Sequence, residues 1–507
     1  MKKIFLVSCW IGLGACALTA QESELETLKK ALQEQQKTIQ SLLQKVEALE
    51  KQQSSITSQQ AEWKKLVQTP DTNRPAIAVT PPAGSWSPTD PIRIGKGATY
   101  ADLGLVATFA VGGSSARDIE GGTQPGGHDP NQRGFTVQGV ELNLQGAVDT
   151  YFRGNANILF SVDSDGESFL EVEEAWLETM SLPWNLQLRA GQILTDFGRL
   201  NTQHPHAWAF LDSSLVNTRF LGADGLRNPG ARLAWLAPTP FFTELSLCVQ
   251  NSHGETAESF RSSGHSHPGE EEKLPFGYRR PDNDRGVSDV ADLLFTPRLT
   301  TSFDLTDEQT LVLGTSAAFG PNANGARGDT STQIYGVDAY WKWKPANHHG
   351  GFPFVSWQTE AMLRRYELGA FDWDENGNGV VDDGEVANTA TGLPAVLRRE
   401  TVTDWGFYSQ ALYGFHQGWM AGLRGDFVTG ERGNYERLPL TLDGAALGRD
   451  PLREERWRIS PNLTWYPTEF SKLRLQYNYD RRRDIGEDHS VWFQFEFLLG
   501  AHAAHKF

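Results

Sequence analysis

The chain has 507 residues, 11% aromatic with 16 Trp, yet only 39% are hydrophobic and the mean hydropathy is −0.44. A formal charge of −17 excludes a nucleic-acid partner, because phosphate contacts need a basic face. Beyond residues 1–20 no run approaches the roughly 18 apolar residues of a membrane helix, so a bilayer would have to be crossed by strands. Such strands show an aromatic and aliphatic face to lipid and a polar face to water, which makes the average hydrophilic. Cys9 and Cys16 fall in the leader and Cys248 stands alone in the body, leaving no disulfide within a processed chain.

Residues 1–20 read as a secretory signal. Lys2 and Lys3 form its basic end, Ile4 to Leu18 its apolar core, and small Ala20 precedes a polar run. Cleavage after Ala20 fits this pattern, and so does a lipoprotein box at Leu13-Gly14-Ala15-Cys16 that would lipidate Cys16. Over 21–67 Leu25, Leu32, Ile39 and Val46 hold one heptad position, and Leu28, Leu42, Leu49, Ile56 and Trp63 the other. Spacing alternating by three and four over several heptads predicts a periplasmic coiled coil. Gln35, Gln53 and Gln60 on its seam suit a device that fixes register or oligomer state, and a parallel homotrimer is expected. A lone helix lying against the barrel or the peptidoglycan is the other arrangement this register allows. Residues 68–97, with Pro70, Pro75, Pro81, Pro82, Pro88 and Pro91, predict a semi-extended linker.

From residue 98 to 507 the chain repeats one unit, about ten alternating residues closed by turn residues, the pattern of an all-β transmembrane barrel. Sixteen antiparallel strands are predicted: 99–112, 133–147, 150–162, 168–180, 184–193, 231–237, 241–250, 293–304, 308–319, 331–344, 354–367, 400–414, 417–428, 455–466, 469–481 and 489–500. The long connections 113–132, 194–230, 251–292, 368–399 and 429–454 all follow odd strands, so one side carries long loops and the other tight turns. That asymmetry belongs to outer-membrane barrels, with the coiled coil on the periplasmic side. In the last strand Phe493, Phe495, Phe497 and Leu499 share one face, Gln494 and Glu496 the other, and the chain ends in Phe507.

Three connections carry candidate sites. The third, 194–230, holds Asp196, Arg199, His204, His206, Asp212, Arg219 and Arg227, charges of both signs that would set ion passage at a constriction or anchor the loop to the wall. Arg199 and Arg219 are expected to face the pore. The next connection offers His253, His265 and His267 followed by Glu270, Glu271 and Glu272, imidazole and carboxylate suited to Zn2+ or another transition ion. The sharpest motif is Asp374 to Glu385. Asp374, Asn376 and Asn378 stand at positions 1, 3 and 5, Gly379 at 6, Val380 at 7, Asp382 at 9 and Glu385 at 12 of a Ca2+ loop. Calcium takes about six to eight oxygens, and this spacing wraps them round the ion with a closing bidentate Glu. Starting at Asp372 instead places Asn378 at 7 and Asp383 at 12. No catalytic motif appears, and an enzyme is not expected.

A leader, a heptad segment, a linker and a barrel ending in Phe507 resemble the phosphate-selective porin O and P family. Three stretches are more closely similar to a bacterial group labelled zinc-regulated TonB-dependent outer membrane receptors: GFTVQGVELNLQGAVDTYFRGNANI (134–158), AGQILTDFGRLNTQHPHAWAFLDSSLVNTRFLG (190–222) and LLGAHAAHKF (498–507). The receptor label implies energy-driven metal uptake through a barrel of about 22 strands with a globular plug. Here a coiled coil and a Pro-rich spacer occupy the N-terminus, and residues 98–507 are too few for that many strands with these loops. The expectation is therefore a porin-like channel for passive diffusion of small solutes or ions, with divalent metals among the candidates. A zinc-related receptor and an envelope-tethering protein are the alternatives.

Overall fold

A computed structural model describes residues 92–97, 99–147, 149–164, 166–262, 275–280, 286–324 and 329–500. The predicted signal, coiled coil and most of the linker lie outside the described residues, as do His265, His267 and Phe507.

The strands are β1 (Ile92–Lys96), β2 (Thr99–Ser114), β3 (Gly134–Ala147), β4 (Phe152–Val162), β5 (Ser168–Thr179), β6 (Leu186–Leu194), β7 (Arg227–Leu236), β8 (Phe242–Asn251), β9 (Leu293–Thr306), β10 (Gln309–Pro321), β11 (Ser331–Trp343) and β12 (Phe354–Leu368). After the short β13 (Phe371–Asp372), β14 (Val386–Asn388), β15 (Leu393–Pro394) and β16 (Val396–Leu397) come β17 (Glu400–His416) and β18 (Trp419–Gly430). Then follow β19 (Leu440–Leu442), β20 (Ala445–Ala446), β21 (Arg456–Thr468), β22 (Ser471–Arg482) and β23 (Gly486–Gly500). One sheet takes seventeen of them. Sixteen form a closed antiparallel barrel, sealed by β2 against β23 from Gly104↔Gly500 to Ser114↔Ser490. The other, β1, extends the edge as a hairpin with β2, so the predicted linker ends in strand at Ile92.

Each of the sixteen barrel strands has a neighbour on both sides, the condition for a sheet to sit in lipid. The period-two pattern then sorts side chains. On β23 Val491, Phe493, Phe495 and Phe497 point outward, while Gln494 and Glu496 are buried in the lumen with Trp492. On β22 Leu475 and Tyr477 face out, and Lys472, Arg474, Gln476, Asn478 and Asp480 face in. Among the described residues no helix is long and apolar enough to cross a membrane. The lipid-type face belongs to the strands.

One irregularity positions the site below. Between β4 and β5 the register slips, so that Asn157 faces Glu174 while Ile158 faces Val172. The unpaired extra residue is Glu173, and the bulge lets consecutive Glu173 and Glu174 both point inward, which a regular strand forbids.

Two of the long connections fold into structure of their own. β14 joins β15 and β19 in a four-stranded sheet, and β13 pairs with β16. Tyr278, Phe371, Trp373, Val386, Leu397, Tyr435 and Leu440 bury one another beneath that sheet, so connections read as loops form a cap with its own core.

Candidate functional site

The connection 195–226 turns into the barrel. Its apolar face explains why. Phe197, Leu200, Leu215, Val216, Phe220, Leu221 and Leu226 pack on inward Leu294, Ala318, Ile334, Met362, Tyr408 and Val428. Phe197, Val216 and Phe220 are fully buried, and removing each from water contributes about 1.5–3 kcal/mol. Within it α1 (Leu215–Leu221) starts at Ser214, whose hydroxyl accepts from the Asn217 amide, and stops at Gly222, which takes φ +102°.

The polar atoms of this segment are tied to the wall all round the lumen. Asp196 accepts from Arg232 Nε on β7 at 2.9 Å and from Ser246 on β8. The Gly198 amide donates to Ser316 on β10, and the Leu200 amide donates to Glu360 on β12 at 2.7 Å. Arg199 donates to Gln358 at 3.1 Å and lies over the Tyr340 ring. Lys472 and Arg474 on β22 donate to the carbonyls of His206 and Trp208. Asp212 is the central anchor, taking hydrogen bonds from Arg424 at 2.6 Å, Arg458 at 3.1 Å, Gln476 at 2.9 Å and Asn478 at 2.7 Å. Burial opposes its charge, but Arg424 and then Arg458 outweigh that and hold the carboxyl below its usual range. Nearby Asp129, on the connection between β2 and β3, accepts from the Ser213 and Gly126 amides at 2.8 and 2.9 Å. Burial, and then the charge of Asp212, push it up to about 7.

His204 and His206 meet a different wall. Glu141 on β3 and the bulged Glu173 and Glu174 on β5 converge there, all buried. His204 Nδ1 is 3.2 Å from Glu173 Oε2 and 3.7 Å from Glu141 Oε1, and Nε2 is 3.1 Å from Glu174 Oε2. Asn157 Nδ2 also lies 2.6 Å from Nε2. His206 Nδ1 is 2.9 Å from Glu141 Oε2, its ring stacked on His204 at 5.8 Å. Behind them His128 Nε2 is 3.3 Å from Glu173 Oε1, and Arg227 Nη1 is 3.9 Å from the same oxygen. Burial disfavours a charged His204, but Glu141, Glu173 and Glu174 together hold its pKa well above the usual imidazole value.

The predicted residues thus divide. Asp196 and Asp212 anchor the loop. Arg199, expected to face the pore, stacks on the wall. Arg219, expected likewise, donates to the Glu454 carbonyl at 2.7 Å and borders a cavity of about 900 Å3, where burial lowers its pKa to about 9. Arg227 belongs to β7 rather than the loop and is buried in an ion pair with Glu171. The described part of the predicted transition-metal set, His253, is exposed and distant in sequence from any grouping of metal-type ligands found among the described residues. That grouping is Glu141, Glu173 and His204, whose ligand atoms all lie within 4.8 Å of one another. The sequence reading missed the glutamates. The one available signal was the run Glu171-Val172-Glu173-Glu174, two consecutive acids breaking an alternating strand.

The Asp374–Glu385 loop is closed by hydrogen bonds among its own side chains and amides. The Gly379 amide donates to Asp374 Oδ2 at 3.0 Å, and Asn376 and Asn378 both donate to Asp382 Oδ2, at 2.5 and 2.9 Å. The Asp382 amide donates to Glu385 Oε2 at 3.0 Å, and Gly377 and Gly379 take φ +71° and +70° at the turn. Val380 is exposed.

No family model matches the chain. Solved structures that it resembles include the outer membrane channel DcaP of Acinetobacter baumannii, 14% identical over 79% of this chain and 97% of that one with a TM-score of 0.45. They include also an anion-selective porin from Comamonas acidovorans, 7% identical over 79% and 100% with a TM-score of 0.45. Salmonella typhi OmpF in complex with daunomycin is 11% identical over 80% and 100%, with a TM-score of 0.43. The barrel itself rests on the strand pairing above. In sequence the chain is 30% identical, over 437 residues and 80% of each chain, to an uncharacterized protein of Aquifex aeolicus strain VF5, and it belongs to that protein's family.

Proposed function

We propose that this chain is an outer-membrane channel for passive diffusion of small solutes and ions, working by passage rather than by catalysis. The observation that carries the reading is a closed barrel with an aliphatic and aromatic exterior, a charged lumen and a long connection folded into that lumen. Opposite charges on a narrowed water path set which ions pass through local field and hydration, and the acidic balance of the chain favours cations. Recording single channels in planar bilayers tests this directly: discrete conductance with mild cation preference is expected, and silence or clear anion preference overturns it.

The export signal at 1–20 and the heptad register at 21–67 support assembly as a homotrimer with the coil in the periplasm, near peptidoglycan. Native mass measurement on the full chain would return three copies; a monomer would remove this part of the proposal. The curled Asp374–Glu385 loop supports a Ca2+ ion that stiffens the external cap.

A further inference from the structure

We propose that Glu141, Glu173 and His204, with His206 beside them, form a binding site for a divalent transition-metal cation of the Zn2+ class on the lumen wall. Three separate elements supply the donors: β3, the bulge of β5 and the inward-folded connection. Carboxylate oxygen with imidazole nitrogen is the donor mixture that suits zinc and its neighbours, whereas calcium and magnesium prefer oxygen alone.

The geometry is close to what an ion needs. Bonds of about 2.0–2.2 Å to each donor put donor atoms about 3.4 Å apart in a tetrahedral site. Glu173 Oε2 and Glu141 Oε1 already stand 3.2 and 3.7 Å from His204 Nδ1. His206 Nδ1, 2.9 Å from the other oxygen of Glu141, is placed to become a fourth ligand by a small ring movement.

The surroundings point the same way. Glu174 sits on His204 Nε2, the nitrogen turned away from Glu141 and Glu173. An ion arriving at Nδ1 displaces the proton there, and Glu174 remains to hold the one on Nε2, the arrangement found behind metal-bound histidines. Glu141 and Glu173 are 4% and 3% exposed, and a divalent ion that replaces the His204 proton keeps a cation between the two buried carboxylates. The bulge is itself informative, since it re-aims one glutamate into the cluster at the cost of local pairing.

The proposal is independent of whether the barrel conducts, because it is read by binding. The full chain, refolded in detergent, stripped with chelator and held in millimolar Ca2+ to fill oxygen-only sites, is titrated with Co2+ and then Zn2+. One Co2+ per chain with a visible spectrum of mixed nitrogen and oxygen ligands, displaced by Zn2+, is expected. His204→Gln and Glu141→Gln should each weaken binding at least about tenfold, since losing even a group behind a ligand costs that much, with heat-resistant gel mobility showing that the barrel still folds. Joint replacement of His253, His265 and His267 by Ala should leave that ion bound. Absence of binding, or loss of the ion in the external triple variant but not in His204→Gln, overturns the site.

Discussion

Asp212 is where the inward connection can be released. Asp212→Ala removes four hydrogen bonds, two of them from guanidinium groups, at a side chain with no solvent access. Taken singly, bonds to charged groups contribute about 1.5–3 kcal/mol each. Their sum overstates the effect, because Arg424 keeps Asp426 at 2.8 Å and Arg458 keeps Asp480 at 2.9 Å. Removing one partner of a buried ion pair costs about 3–5 kcal/mol. At about 1.4 kcal/mol per factor of ten, the balance between docked and undocked connection moves by roughly two to three and a half powers of ten. The barrel strands do not depend on this anchor, so heat-resistant gel mobility should persist. Single-channel records should show higher mean conductance and larger open-channel noise, with Asp212→Asn intermediate since its amide still accepts at one oxygen. A folded Asp212→Ala protein with parental conductance and noise would refute the anchoring role.

The exterior face gives a stability test: Phe495→Arg, mid-strand on β23 and lipid-facing, should lower barrel stability by about 2–4 kcal/mol in vesicle unfolding, while a polar neighbour pointing inward tolerates charge. Glu385→Gln should abolish protection of residues 369–399 from protease by added Ca2+, leaving the calcium-free cleavage rate unchanged. Asp129 supplies a pH dependence. Its carboxyl is raised to about 7 from an ordinary value near 3.8, so the stability it contributes is full below about pH 4 and lost as pH rises through 7. Asp129→Asn should flatten the fall of the unfolding midpoint between about pH 4 and 7; an unchanged slope there would assign that dependence elsewhere.

The barrel was written locally. A period of two, the turn residues and the uneven lengths of the connections sufficed to place sixteen strands and their direction, because each strand solves the same problem of one lipid face and one water face. The Asp374–Glu385 pattern could be picked out for a similar reason, since its candidate ligands lie within twelve consecutive residues. Where the inward connection would attach was not legible. Asp212 meets Arg424, Arg458 and Asn478 from strands more than two hundred residues away, and nothing near Asp212 in sequence names them. The cap escaped notice because its short strands pair between connections far apart in the chain. The His204 cluster was hidden for both reasons. Its histidine could be picked out along the chain, but the glutamates converge only when the barrel closes and a one-residue bulge turns Glu173 inward, a choice made by strand register and packing rather than by local propensity.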